Sequence, residues 1–127
     1  MLRVTLNSGA RWGLTLLAVS ALAVSALAHH GWSGYDETKP VTLTGVIKEA
    51  GWDNPHGFVK LQVENGKGKI WTATLAPPSR MESRGLKKAE LKVGETATVI
   101  GAPSRTNPDE IKAERISIGA KSINLKQ

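Results

Sequence analysis

The sequence predicts an all-β domain with one short helix, an OB-fold-like barrel of five strands. Three observations predict it. Five short stretches alternate apolar and polar residues, the period of half-buried strands. A helix signal lies between the third and fourth stretches, which is the element order of a partly open Greek-key barrel. The chain has no cysteine, so the fold must be held by an apolar core rather than by disulfides. A sheet with one apolar face buries that face economically by curling. An open, sandwich-like sheet with the helix over one edge has the same element order, and the order alone does not separate the two.

The first 28 residues stand apart. Met1 to Arg11 is short and basic, and Trp12 to Leu27 (WGLTLLAVSALAVSAL) has no charge. That run has signal-peptide length and is short for a membrane span, which needs about 20 apolar residues. Ala26-x-Ala28 supplies the small residues of a cleavage site. The expectation is a signal peptide over 1–28 and a mature chain of 99 residues, 28 fewer than the full 127. It would begin at His29 and be periplasmic or secreted, with no stable membrane anchor. No lipobox cysteine offers lipidation. Ninety-nine residues make one domain, large enough to fold alone.

Residues 29–40 (HHGWSGYDETKP) read as an arm with Trp32 and Tyr35 as packing anchors. Lys39-Pro40 marks entry into the first strand, because the residue before proline is pushed to extended geometry. Val41, Leu43, Gly45 and Ile47 share one face, with Gly45 a candidate bend or bulge. Gly51 to Gly57 (GWDNPHG) is a concentrated turn signal. Val59, Leu61 and Val63 define the second strand. Asn65-Gly66 is a hairpin signal. Trp71, Ala73 and Leu75 define one face of the third strand. Pro77-Pro78 stops it, and Ser79 with Glu82 fits a capping box for a helix over about Ser79 to Arg84. Gly85 ends that helix, and Leu86 and Leu91 tuck beneath it. The fourth strand is Thr96 to Gly101. The fifth spans about Ile111 to Ile118, with a slip between Ala113 and Ile116 that reads as a bulge. Gly119 to Gln127 reads as a polar tail. The expected core is Val41, Leu43, Ile47, Val59, Leu61, Val63, Trp71, Leu75, Val99, Ile116 and Ile118.

The formal charge is +6, of which Arg3 and Arg11 belong to the leader, so the mature domain is about +4. Acidic residues are interspersed, with a loose basic cluster at Lys87, Lys88 and Lys92. This reads as a mixed soluble surface, the alternative being a weak attraction to an anionic membrane or an acidic partner. OB-folds often bind oligonucleotides through their second and third strands, and Phe58, Lys60, Lys69 and Trp71 lie there. Export argues against nucleic acid as a partner.

Ala-His-His at the cleavage site, Lys39-Pro40-Val41-Thr42-Leu43-Thr44-Gly45, Trp52-x-Asn54-Pro55-His56 and Leu91-Lys92-x-Gly94-Glu95 occur together. In this combination the chain resembles a family of small exported bacterial proteins known only as a domain of unknown function. The resemblance covers the mature chain and implies export and a small β fold. It implies no activity. Gly31-Trp32 stands where the family more usually has Ser-Phe.

The sequence has no cysteine nucleophile, no Gly-x-Ser-x-Gly elbow and no phosphate loop. Asp36-Glu37 and Asp109-Glu110 lack EF-hand spacing. A non-enzymatic binding or accessory protein is therefore expected. Its partner would be a small molecule, a glycan or another protein, met through the barrel face or through Trp52, Asn54 and His56. The three histidines of the chain are His29, His30 and His56, and each has a plain structural role open to it. Cleavage after Ala28 would place the amine of His29 beside its own imidazole. That amine deprotonates near pH 8 and ligates metal once it does. His30 or His56 would add a further nitrogen. Such a set suits Cu(II) by geometry and by the Irving–Williams order, whereas zinc prefers a tetrahedral set.

Overall fold

Strand β1, Val41–Gly51, is the longest of the fold and serves two neighbours. Its first half, Val41 to Val46, pairs antiparallel with β4, Thr96–Pro103. Its second half, Val46 to Gly51, pairs antiparallel with β2, Phe58–Gln62. The computed structural model describes residues 31–127. The expected leader, His29 and His30 lie outside the described residues. Beyond β2 come β3, Ile70–Thr74, the helix α1, Pro78–Ser83, and a 3-10 turn at Lys88–Glu90. After β4 come β5, Glu110–Ile118, and β6, Lys121–Asn124. The strand order is β3-β2-β1-β4-β5-β6, and a parallel β3–β5 pairing closes the first five into a barrel. The open-sheet alternative falls with that pairing, which leaves α1 between β3 and β4 as in an OB-fold.

Gly45 is not the bulge. It sits where β1 passes from one partner to the other, bridged to Val63. A Cβ there would lie 2.5 Å from the Gln62 carbonyl oxygen, so the residue permits backbone contact. The register shift falls between Ile47 and Glu49 instead. On β5 the expected slip is present: Ile100 faces Arg115 and Gly101 faces Ala113, leaving Glu114 unpaired across the ladder. Gly101, opposite this bulge, is packed against the Lys112 carbonyl.

Three local expectations change. The β2–β3 hairpin turns through Glu64 (φ 53°), Asn65 (φ 58°) and Gly66 (φ 78°), so the left-handed stretch begins one residue before Asn65-Gly66. Helix α1 begins at Pro78 with Pro77 as its cap, and no side chain caps it. Proline's fixed φ starts the helix early, which places Ser79 inside it rather than at the cap. Gly85 (φ 92°) does end it, with Leu86 N–H donating to Met81 C=O at 2.9 Å. Residues 119–127 are not a plain tail. Gly119 (φ 57°) turns a tight hairpin, and β6 pairs with the end of β5.

The core holds Ile47, Val59, Leu61, Leu75, Val99 and Ile116, together with Met81 and Leu86 from the α1 region. Ile123 and Leu125 are buried too, and they explain why β6 forms: period-two apolar residues give it a face to cover. Val41, Val63, Trp71 and Ile118 are only partly buried, packed at the margins of the core. Leu91 is buried as expected.

Candidate functional site

The turn carrying His56 is fixed to the segment leading into α1. Gly57 N–H donates to Ala76 C=O at 3.1 Å, and Leu75 N–H returns to Gly57 C=O at 2.8 Å. A Cβ on Gly57 would meet the Met81 methyl at 2.7 Å, so the turn packs directly on the helix. The Asn54–Pro55 peptide within it is cis. His56 is half-buried. Asn54 is exposed, and Trp52 packs toward the core beside Ala50 and Leu91. Trp52 and His56 therefore line different recesses, although only three residues separate them.

The arm crosses the barrel close to this turn. Tyr35 forms a bridge with Ser104, Asp36 N–H donates to Pro103 C=O at 2.8 Å and Arg105 N–H donates to Gly34 C=O at 2.9 Å. The Tyr35 hydroxyl donates to Glu110 Oε1 at 2.6 Å. Burial, then the Glu110 carboxylate, raises the tyrosine to about 12. Trp32 is flanked by two lysines, with Lys112 Nζ 4.8 Å and Lys126 Nζ 5.0 Å from its ring centre. Lys112 also donates to Gly31 C=O at 3.0 Å. Lys126 pairs with Glu37 at 2.6 Å. The side chains expected to anchor the arm, Trp32 and Tyr35, do so, through cation–π contacts and a charge-assisted hydrogen bond.

Between arm and barrel lies a cavity of about 130 Å³ whose walls include Gly31, Trp32, His56, Arg80, Lys112 and Leu125. They come from the arm, the His56 turn, α1, β5 and the segment after β6. Arg80 and Lys112 form no ion pair among the described residues. Among the described residues the Arg80 guanidinium makes one hydrogen bond, a long one to Leu125 C=O at 3.4 Å. Burial, and next the Arg80 charge, lower Lys112 from its ordinary value, against the opposing pull of Glu37. The cavity is small beside the roughly 300–1,000 Å³ of sites for drug-sized ligands.

His56 is the one candidate metal ligand inside the described residues. Among those residues no group of three or more His, Cys, Asp or Glu side chains could hold a metal. Gly31, immediately after His30, lines the same cavity as His56. The sequence pointed to His56 but not to Arg80 or Lys112. Lys112 alternates with the inward Ile111 and Ala113, so its pattern reads as ordinary solvent-facing lysine until the arm is laid over it.

A larger recess of about 480 Å³ lies between the 3-10 turn and the β5–β6 hairpin. Its lysines stand beside acids. Lys121 pairs with Glu90 at 2.5 Å, and Glu95 also lines the wall. On β2 and in the β2–β3 loop, the region that OB-folds use for oligonucleotides, Lys60 pairs with Glu49 at 3.1 Å and Lys69 with Asp109 at 2.7 Å. No helix of the described residues is long and apolar enough to cross a membrane.

Among solved structures the chain is similar to that described as the ZRD-deleted mutant of TiaS in complex with agmatine. The identity is 18% and the TM-score 0.48, over 72% of this chain and 25% of that one. The chain thus spans a quarter of the length of that protein. No curated protein matches the sequence. A family model does match, over residues 17–111. It takes in the Trp52–His56 motif, the helix and most of the barrel, and the chain belongs to this family, DUF6152, a family of unknown function.

Proposed function

We propose that this protein is a non-enzymatic binding or accessory module of the periplasm or cell exterior, with its ligand seated in the cavity between arm and barrel. One observation carries the reading: five separate stretches of chain converge on a small polar recess that contains His56, Arg80 and Lys112. The recess suits an ion or very small molecule better than a glycan, because of its volume. The ion-paired lysines of β2 and of the β2–β3 loop speak against a nucleic-acid platform. The test is a titration of the mature protein with Cu(II), inorganic phosphate and cellobiose in turn, following the amides of Gly31, Trp32 and His56. Ligand-dependent shifts concentrated on those residues support the reading. Shifts confined to other surfaces overturn it, as does turnover that is abolished by one polar substitution without loss of folding.

A second reading names the ion as Cu(II), bound by the amine and imidazole of His29 with His30 or His56 assisting. The neighbourhood of Gly31 and His56 favours it, since a mature N-terminus at His29 would lie two residues from this cavity. A free amine is a far better ligand than an amide nitrogen, and protons compete for both amine and imidazole. Cu(II) affinity is expected to fall with pH. It is also expected to fall at least tenfold when one glycine is added before His29, and by a smaller factor in His56→Ala. Calorimetric titration of the exported protein, its N-terminus verified by intact mass, checks this. Equal affinity in all three forms eliminates the amine and His56 together.

A further inference from the structure

We infer that the cavity under the arm is a binding site for a small oxyanion, a phosphate or carboxylate group, held by Arg80 and Lys112. The inference rests on the reading that this cavity is the ligand site, and it gives that site a ligand class.

The first support is charge. Arg80 and Lys112 line one recess of about 130 Å³, and no Asp or Glu is among its lining residues. Other cations without an ion pair among the described residues, such as Lys48, Lys67 and Arg115, stand on exposed surface, whereas Arg80 and Lys112 face one recess together. Two like charges brought together raise the energy of the folded protein, the Glu37 carboxylate offsets part of this at Lys112, and an anion in the recess lowers it further.

The second support is position. Lys112 is held from two sides, by the Gly31 carbonyl and by the faces of Trp32 and Tyr35. Its ammonium group has three N–H donors, and among the described residues one of them is used, by the Gly31 carbonyl. Arg80 lies in α1, and its guanidinium has five N–H donors in a planar fork suited to oxyanions. Among the described residues the guanidinium makes one hydrogen bond, the 3.4 Å contact with Leu125 C=O. Both cations thus keep donors for a ligand without unfolding anything.

The third support is size. The recess matches a phosphate or a single carboxylate better than a ring-sized ligand. The larger recess at the 3-10 turn is a poorer candidate, because Glu90 and Glu95 also line it and Glu90 already pairs with Lys121.

The experiment is calorimetric and NMR titration of the mature protein with inorganic phosphate and, separately, with acetate, at about physiological ionic strength so that diffuse attraction is screened. Four variants accompany it: Arg80→Gln, Arg80→Lys, Lys112→Gln and Lys60→Gln. Lys60→Gln removes the same unit of charge from a distant surface. The expected result is saturable binding of phosphate, acetate or both, with shifts at Gly31 and His56. Affinity should fall at least tenfold in Arg80→Gln and Lys112→Gln, recover in part in Arg80→Lys, and stay within twofold in Lys60→Gln. Lys112→Gln also loosens the arm, so Arg80→Gln, on α1, carries the decision if the former unfolds. Equal weakening in Arg80→Gln and Lys60→Gln overturns the site. If Cu(II) or cellobiose shifts Gly31 and His56 but neither anion does, the cavity is the ligand site and the oxyanion assignment is wrong. If the anions shift residues elsewhere, the cavity reading and the oxyanion assignment both fall.

Discussion

Tyr35 joins the arm to the barrel by a side chain whose proton has a defined energetic consequence. Its hydroxyl donates to Glu110 Oε1, and burial with that carboxylate raises it from 10.0 to about 12. Between these values the unfolded chain has lost the proton while the folded protein keeps it. Fewer protons are bound in the unfolded state, so stability falls as pH rises from about 10 to about 12. Below about 10 the contribution of Tyr35 is fully present. Urea midpoints at pH 9.5 and 11.5 are expected to drop further in the native protein than in Tyr35→Phe. The lysines titrate in both proteins and cancel in the comparison. Equal drops would mean that Tyr35 and Glu110 do not share the proton in solution. At this scale the sequence was partly legible. Trp32 and Tyr35 stood out as the aromatic residues of a polar arm, and His56 stood out beside Asn54-Pro55. Arg80 and Lys112 did not, because a lone cation on the outer face of a strand or helix has no pattern that distinguishes it from solvated charge.

Strands and turns were more legible than single side chains because they repeat. Alternation located five strands, and the slip on β5 located the Glu114 bulge. What escaped was set by contacts across the barrel. Gly45 stood out as a candidate bend or bulge, yet its role is close approach to Gln62, which no local pattern encodes. Strand β6 escaped because Ile123 and Leu125 are two apolar residues in a polar frame, and only the β5 edge turns them into a face. Two substitutions check the element scale. Leu61→Ala removes a side chain with no exposed surface and is expected to cost about 2–5 kcal/mol. Gly101→Ala drives a methyl into the Lys112 carbonyl opposite the bulge and is expected to cost about 1–3 kcal/mol through backbone displacement. Chemical denaturation measures both. A loss below about 0.5 kcal/mol for Leu61→Ala would contradict the β2 register, since that is the range of surface changes.

The whole molecule separates into a barrel that closes by itself and an arm laid across it. The pairings that close the barrel, β1 with β2 and β4, β2 with β3, β4 with β5, and β3 with β5, use no residue before Val41. The buried core begins at Leu43. The arm adds two backbone hydrogen bonds to the Pro103–Arg105 segment and the Tyr35–Glu110 bond. At about 0.5–1.5 kcal/mol net for each, a mature chain shortened to begin at Lys39 should lose roughly 2–4 kcal/mol. It should nevertheless unfold in one cooperative step, with the strand signal of the full domain in circular dichroism. The Pro103 carbonyl and the Arg105 N–H left behind lie at the surface and turn to water. The cavity suffers more than the barrel. Its Gly31 and Trp32 walls go, and Lys112 loses its carbonyl and aromatic neighbours. Phosphate and Cu(II) binding should therefore fall by at least tenfold while the fold persists. A shortened chain that is unfolded would make the arm part of the folding unit. A shortened chain that binds both ions as tightly as before would move the ligand site away from the arm altogether.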